Sequence, residues 1–168
     1  ELSARANDTD RKSKTNALGT AVEQYFLDNQ AYPDEGAAAT ITSGINLQTG
    51  SACNSILQTA LVAGTKKYLA TDAACLDKST TIAHRYHSKL VGSSWKYIVA
   101  WELEYANEST PPLNLGTGGN GSYLAGASGR VDPDGNAGSN ALPIVFNNED
   151  SSGTTFANKK VFAFYGPQ

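Results

Sequence analysis

The chain contains no methionine, only two cysteines, and nowhere in its 168 residues a run of about 18 apolar residues. The last absence means that no segment of it reads as a transmembrane helix or as the apolar part of a signal peptide. The missing initiator methionine is what a processed or truncated chain would show. Charge is scarce as well: 13 Lys plus Arg stand against 16 Asp plus Glu, a formal net charge of -3. No global basic field therefore draws the protein to nucleic acid or anionic lipid. Charged residues make up 17% and hydrophobic residues 40%, too little charge for a disordered chain and enough apolar mass for the core of one domain. The remaining surface must be neutral and polar, built from Gly, Ser, Thr and Asn, a profile common among exported proteins. In that setting Cys53 and Cys75 read as a disulfide, whose loop closure would restrict the unfolded chain by about 3 kcal/mol. Two buried, reduced thiols are the alternative reading.

The usual signatures of catalysis are also missing. No nucleophile elbow, phosphate loop, zinc motif or Cys and His pair stands out, so an enzyme is not expected. His84 and His87 are the two histidines. On a strand their spacing sends them to opposite faces, so they cannot readily share a metal and should be satisfied internally or face solvent. Gly118 to Gly121 reads Gly-Gly-Asn-Gly without a clear strand before it or helix after it, which suggests a flexible turn and not a phosphate cradle. One motif does place oxygen ligands at alternate positions: Asp132-Pro133-Asp134-Gly135-Asn136. Short calcium loops use this pattern, although no acidic residue closes it as in an EF-hand, and the same residues make an ordinary tight turn. If calcium binds, Asp132, Asp134 and Asn136 supply the side chains, and the metal orders a loop and performs no chemistry.

What is present begins with a helix. The first thirty or so residues contain no proline and one glycine. From Glu1 to Thr15 the pattern is almost wholly polar, with Arg5, Asp8, Asp10, Arg11, Lys12 and Lys14, and this half could not bury itself. From Leu18 an apolar stripe takes over, with Leu18, Val22 and Phe26 on one face. Tyr32-Pro33 should stop the helix. A loose stretch from Asp34 to Ser51 precedes a short helical pattern at Ser55 to Ala63. Thr80 to His87 suits a strand, and Trp95 to Leu103 is the clearest one, alternating Trp95, Tyr97, Val99, Trp101 and Leu103 with Lys96, Ile98, Ala100 and Glu102. The alternation predicts an antiparallel sheet with one face covered by the amphipathic helix, which favours Trp95, Tyr97 and Trp101 as core over a stacking platform for sugars or single-stranded nucleic acid. Residues 111–142 are dominated by Gly, Asn, Ser and Asp and read as a long surface loop, with a short strand near Tyr123-Leu124 and a possible role in recognition. Leu142 to Phe146 and Val161 to Tyr165 look like a closing hairpin. The expected class is α+β: a long N-terminal helix, a short second one, and three to five mainly antiparallel strands.

Several of these features together resemble one family. Asp10 to Leu18, followed by Ala21-Val22-Glu23-Gln24-Tyr25-Phe26-Leu27-Asp28-Asn29-Gln30-Ala31-Tyr32-Pro33, is similar to the second half of the first helix in bacterial type IV pilins and type II secretion pseudopilins. Leu61, Tyr68-Leu69 and Thr71-Asp72 look like that group's second helix and the turn after it, with Ala73 where the family usually has Pro. Tyr97 to Glu104 resembles its first long strand. The likeness covers residues 1 to 105. It implies a single pilin-like head, with 1–31 the C-terminal half of the long helix and 32–168 the globular part. The family's basic leader, cleavage site and apolar helical half of about 20 residues would lie upstream of Glu1. The implied function is a structural subunit of a pilus or pseudopilus. Its implied partners are copies of itself and other pilins, the inner-membrane assembly machinery and the prepilin peptidase. Its implied place is the cell surface, or the periplasm for a pseudopilin, with a membrane-anchored precursor. Pseudopilins of the major type can hold calcium in a loop between strands, which bears on Asp132, Asp134 and Asn136. The other reading is a minor or tip pilin that binds a surface or DNA through residues 111–142. In either case the mixed charges of the first helical half could pair along the helix or between subunits, or form an ordinary solvated face.

Overall fold

Twenty-eight residues, Leu2–Asn29, form helix α1, as expected of a segment with no proline and a single glycine. The computed structural model describes residues 2–33, 45–47, 55–70, 77, 79, 81–82, 84–91, 93–105, 119–124 and 160–166. α1 ends close to the predicted point. Gln30 takes the left-handed conformation with φ 58°, and its amide donates to the Phe26 carbonyl at 2.8 Å, closing the last turn as a helix C-cap does. Tyr32 and Pro33 then act as an anchor. The Pro33 carbonyl accepts from the Tyr86 hydroxyl at 2.9 Å and the Ser88 hydroxyl at 2.6 Å, while the Tyr32 ring meets Phe26 and Tyr97 at centroid distances of 5.0 and 4.9 Å.

Beyond α1 come β1 (Ile45–Asn46), α2 (Ser55–Leu61), β2 (His84–Val91), β3 (Ser94–Glu102), β4 (Gly119–Leu124) and β5 (Lys160–Gly166). The strands form one sheet in the order β1-β2-β3-β5-β4, every pair antiparallel. The class is therefore α+β, with a long N-terminal helix and an antiparallel sheet. In the β2–β3 register His84, Tyr86 and Ser88 stand opposite Trp101, Val99 and Tyr97. Leu18, Ala21 and Val22 of α1 share a buried cluster with Leu57 and Leu61 of α2 and with Tyr86, Tyr97 and Val99. This aromatic face is thus the one the helices cover. Trp95 packs at the margin of that cluster, and Trp101 stacks on Phe162 at 4.5 Å in a second one with Leu103. The alternating aromatics are core, and the stacking-platform reading falls with that.

Three expectations need correction, and a fourth falls partly outside the described residues. A single covered face was expected, yet Ile98, Ala100 and Val161 on the opposite side are as fully buried as the aromatic side; central strands rich in apolar residues bury both faces. The Gly-rich run does not form a flexible turn from its second residue on, because Gly119–Leu124 is β4, an edge strand in which weak strand formers are tolerated. The closing hairpin cannot be placed. Residues 142–146 lie outside the described residues, and β5 already has β3 along one edge and β4 along the other. The first predicted strand begins at His84, four residues later than Thr80 suggested, and runs on to Val91.

One close approach depends on glycine. Gly166 of β5 is the register partner of Tyr97, and a Cβ added there would overlap the Tyr97 ring. Gly166→Ala should therefore destabilise the fold by about 1–3 kcal/mol, the usual cost of overpacking, in urea unfolding followed by Trp fluorescence. A variant as stable as the parent would show that the ring has room to move.

Candidate functional site

The residues that bury α1 follow one continuous stripe: Asp8, Arg11, Thr15, Leu18 and Val22 are all buried, at steps of three and four. Its lower part is polar, and this half, which alone could not bury itself, turns one polar face onto the head. That face, Asp8, Arg11 and Thr15, is buried because the head supplies partners for each group. Arg11, 5% exposed, donates from Nε to Asp77 Oδ2 at 2.7 Å, from Nη2 to Asp77 Oδ1 at 3.4 Å, from Nη1 to Glu104 Oε2 at 2.8 Å, and from Nη1 to Asp8 Oδ1 at 3.2 Å. Asp8 in turn accepts the backbone amides of Glu104 at 3.0 Å and Tyr105 at 2.9 Å. Around this centre Asn7 donates to Glu104 at 3.1 Å, and Arg5 reaches the Tyr105 hydroxyl at 2.7 Å with its guanidinium over the Tyr105 ring. Pairing along the helix is also present, in Lys14 with Asp10 at 2.7 Å.

Asp77 is where the network meets the sheet. Its amide donates to the Leu47 carbonyl at 3.0 Å, and the Leu47 amide donates to the His84 carbonyl at 2.9 Å. The carboxylate accepts the Ser79 amide at 2.9 Å, the Arg11 guanidinium, and His84 Nδ1 at 3.1 Å. Burial pushes the Asp77 pKa up, but the bonds from His84, Arg11 and Ser79 outweigh it and hold it at about 2. For Arg11 burial likewise opposes the charge, and the bonds to Asp77 and Glu104 overcome it, holding the pKa above the ordinary arginine value. His84 is fully buried and its pKa is driven down by that burial, more than the bond to Asp77 raises it. A neutral His84 that donates from Nδ1 leaves Nε2 as an acceptor, and the Thr15 hydroxyl lies 3.4 Å from it.

Carboxylate, imidazole and hydroxyl thus follow one another in the order of a nucleophilic relay. Thr15 and His84 are both wholly inaccessible, however, so the Thr15 oxygen is not presented to any substrate carbonyl. The arrangement holds α1 in place. A cleft of about 290 Å³ opens beside it, bounded by Asn7, Asp10, Arg11, Asp77, Ser79, Thr81, Ile82 and Glu104. A second, wider groove of about 610 Å³ lies between the end of α1 and α2, where Tyr25, Tyr32 and Tyr68 meet Asn29, Thr59 and Lys66. At its rim Asp28 accepts from Lys66 at 2.6 Å and from Tyr68 at 2.7 Å, so the lysine charge is already neutralised.

Of the residues singled out from sequence, His84 is satisfied internally, as expected, and His87 is buried at a position of opposite parity on β2. Cys53, Cys75, Asp132, Asp134 and Asn136 lie outside the described residues. Of the 111–142 segment only β4 is described. Among the described residues no group of three His, Cys, Asp or Glu side chains is arranged to hold a metal, and no helix is long and apolar enough to cross a membrane. The network of Asp8, Arg11, Thr15, Asp77 and Glu104 was missed. A signal for part of it existed: stepping back from Leu18 by three, four and three residues reaches Thr15, Arg11 and Asp8. Comparisons with protein-family models, curated proteins and solved structures return no match to this chain.

Two outcomes follow. Arg11→Ala leaves Asp77 and Asp8 as uncompensated buried anions and should cost about 3–5 kcal/mol, whereas Arg11→Met should recover part of that by packing; equal losses in both variants would contradict the assignment. The Asp77 contribution is fully present above its unfolded pKa of 3.8 and is lost as pH falls toward about 2. It amounts to about 2 kcal/mol by linkage, and Asp77→Asn should remove this acid sensitivity from the unfolding curve.

Proposed function

We propose that this chain is the globular head of a filament-forming structural subunit of the type IV pilin or pseudopilin kind, and not an enzyme. The observation that carries the reading is the exposed face of α1. Leu2, Ala6, Thr9, Ser13, Asn16, Thr20, Gln24 and Leu27 are all exposed and fall within about 40° of one line along the helix at 100° per residue. None is charged, although α1 carries eight charged side chains elsewhere: Arg5, Asp8, Asp10, Arg11, Lys12, Lys14, Glu23 and Asp28. Leu2 at 83% and Leu27 at 73% are the large apolar side chains exposed among the described residues, and both stand on this strip. The Thr9 and Thr20 hydroxyls donate to carbonyls four residues back, at 2.9 and 3.1 Å, which satisfies them inside the helix. A long, neutral strip of mostly small side chains bounded by leucines is suited to close packing against another helix.

The reading is supported further by the likeness of residues 1 to 105 to pilins and by a long helix on an antiparallel sheet. It requires an apolar segment upstream of Glu1 in the precursor, a membrane-anchored stage, and assembly with copies of itself and other pilins. Cell-surface or periplasmic placement follows from the same likeness. The tip-subunit reading, in which 111–142 binds a surface or DNA, has no described observation in its favour beyond the strand β4.

The test combines processing with assembly. The mature N-terminus on protein taken from cells should lie upstream of Glu1, at a processed residue that opens an apolar helical stretch. Ser13→Arg and Thr20→Glu should each abolish or strongly reduce filaments while changing the stability of the isolated head by no more than about 0.5 kcal/mol. A mature chain beginning at Glu1, or filaments unaffected by both charges, would overturn the reading.

A further inference from the structure

The two halves of α1 are docked by different chemistry. Leu18, Ala21 and Val22 hold the second half through apolar contacts, and the Pro33 carbonyl is tied by hydroxyls; none of these contacts changes between neutral and mildly acidic pH. The first half has no such cluster. Asp8, Arg11 and Thr15 meet Asp77, Glu104 and His84, and every bond involves a charged group or the buried imidazole. At the centre a single oxygen, Asp77 Oδ2, accepts from both Arg11 Nε at 2.7 Å and His84 Nδ1 at 3.1 Å.

We propose that this cluster is an acid-released latch: proton uptake by His84 frees the first half of α1 from the sheet while the second half stays docked. The inference is independent of the filament reading. A protonated His84 would carry its charge with no access to water, sharing one carboxylate oxygen with the Arg11 guanidinium. Arg85, next in sequence, adds a second cation, donating to the His84 carbonyl at 3.2 Å. On the other side stands the Trp101 ring, at a centroid distance of 5.4 Å. Protonation at Nε2 also turns the nitrogen facing the Thr15 hydroxyl from an acceptor into a donor, so that the hydroxyl must rotate to accept from it. The anions facing this centre, Asp77 directly and Asp8 and Glu104 through Arg11, are already engaged by the guanidinium. Undocking the first half relieves the buried charge and the cation crowding at Asp77 Oδ2 by letting water reach the imidazole. Burial depresses the His84 pKa below its ordinary value, so the docked state is favoured above the unfolded imidazole pKa and loses ground as pH falls through the window beneath it.

The experiment is amide hydrogen exchange by NMR on the full chain from about pH 7.5 to about pH 5, reading residues 8–15 against residues 19–26 of α1 as an internal control for intrinsic exchange. The opening constant of residues 8–15 should rise about tenfold per pH unit below about 6.5, with no matching rise in residues 19–26, until the buried pKa is reached. His84→Gln, which is polar but does not titrate, should flatten the dependence. Should that variant fail to fold, the wild-type His84 imidazole shift decides: a titration clearly below about 6.5 agrees with the latch, and one at or above that value overturns it. Parallel loss of protection in both halves, or an unchanged slope in His84→Gln, also overturns it.

Discussion

The structure depends on one buried guanidinium. Arg11 binds carboxylates from three separate places in the chain: Asp8 one turn earlier in the same helix, Asp77 ahead of β2, and Glu104 just after β3. Such a cluster adds little net stability compared with a well-packed apolar alternative, because desolvation consumes most of the Coulombic gain. What it supplies is position. Sliding α1 by one turn would carry Arg11 about 5.4 Å from Asp77 and Glu104, stranding the buried Asp77, while Asp8, moving with the helix, would leave the Glu104 and Tyr105 amides that it accepts. An apolar stripe alone tolerates such a shift far better, since leucine and valine pack without directional bonds.

That division of labour explains why one helix carries two patterns. The second half drives burial and the first half sets the register, and both use the same face. The opposite face is left neutral along its whole length. Charges on α1 are spent inward, at Asp8 and Arg11, or sit on the flanks, as with Lys12 over the Phe162 ring and Lys14 beside Asp10. A helix anchored this firmly on one side presents a rigid strip on the other, which is the property that a helix-packed assembly needs.

Much of the fold was legible because it rests on periodicity and on proline. The apolar stripe from Leu18, the stop at Tyr32-Pro33, the short second helix and the alternating strand around Tyr97 each follow from side-chain spacing. The polar docking was not legible in the same way. A hydrophobic pattern scores Asp8, Arg11 and Thr15 as solvent-facing, and whether they are buried depends on Asp77 and Glu104, which lie 66 and 93 residues from Arg11. The sheet order was hidden for a similar reason: β5 inserts between β3 and β4, a long-range pairing that local sequence does not encode. The proposed calcium ligands Asp132, Asp134 and Asn136 and the Cys53–Cys75 pair stand where the sequence left them, outside the described residues.

The central claim is that Arg11 and Asp77 hold the helix to the sheet as a coupled pair. A double-mutant cycle measures this directly, with Arg11→Met, Asp77→Ala and the double variant compared by urea unfolding at neutral pH. The account predicts a coupling of about 2 kcal/mol or more, because Arg11→Met leaves Asp77 without its cation and Asp77→Ala takes from Arg11 its shortest ion pair, whereas the double change removes both ends of that pair. The loss at Asp8 is common to both Arg11 variants and cancels in the cycle. Losses that add to within about 0.5 kcal/mol would contradict it and would mean that the apolar half alone positions α1.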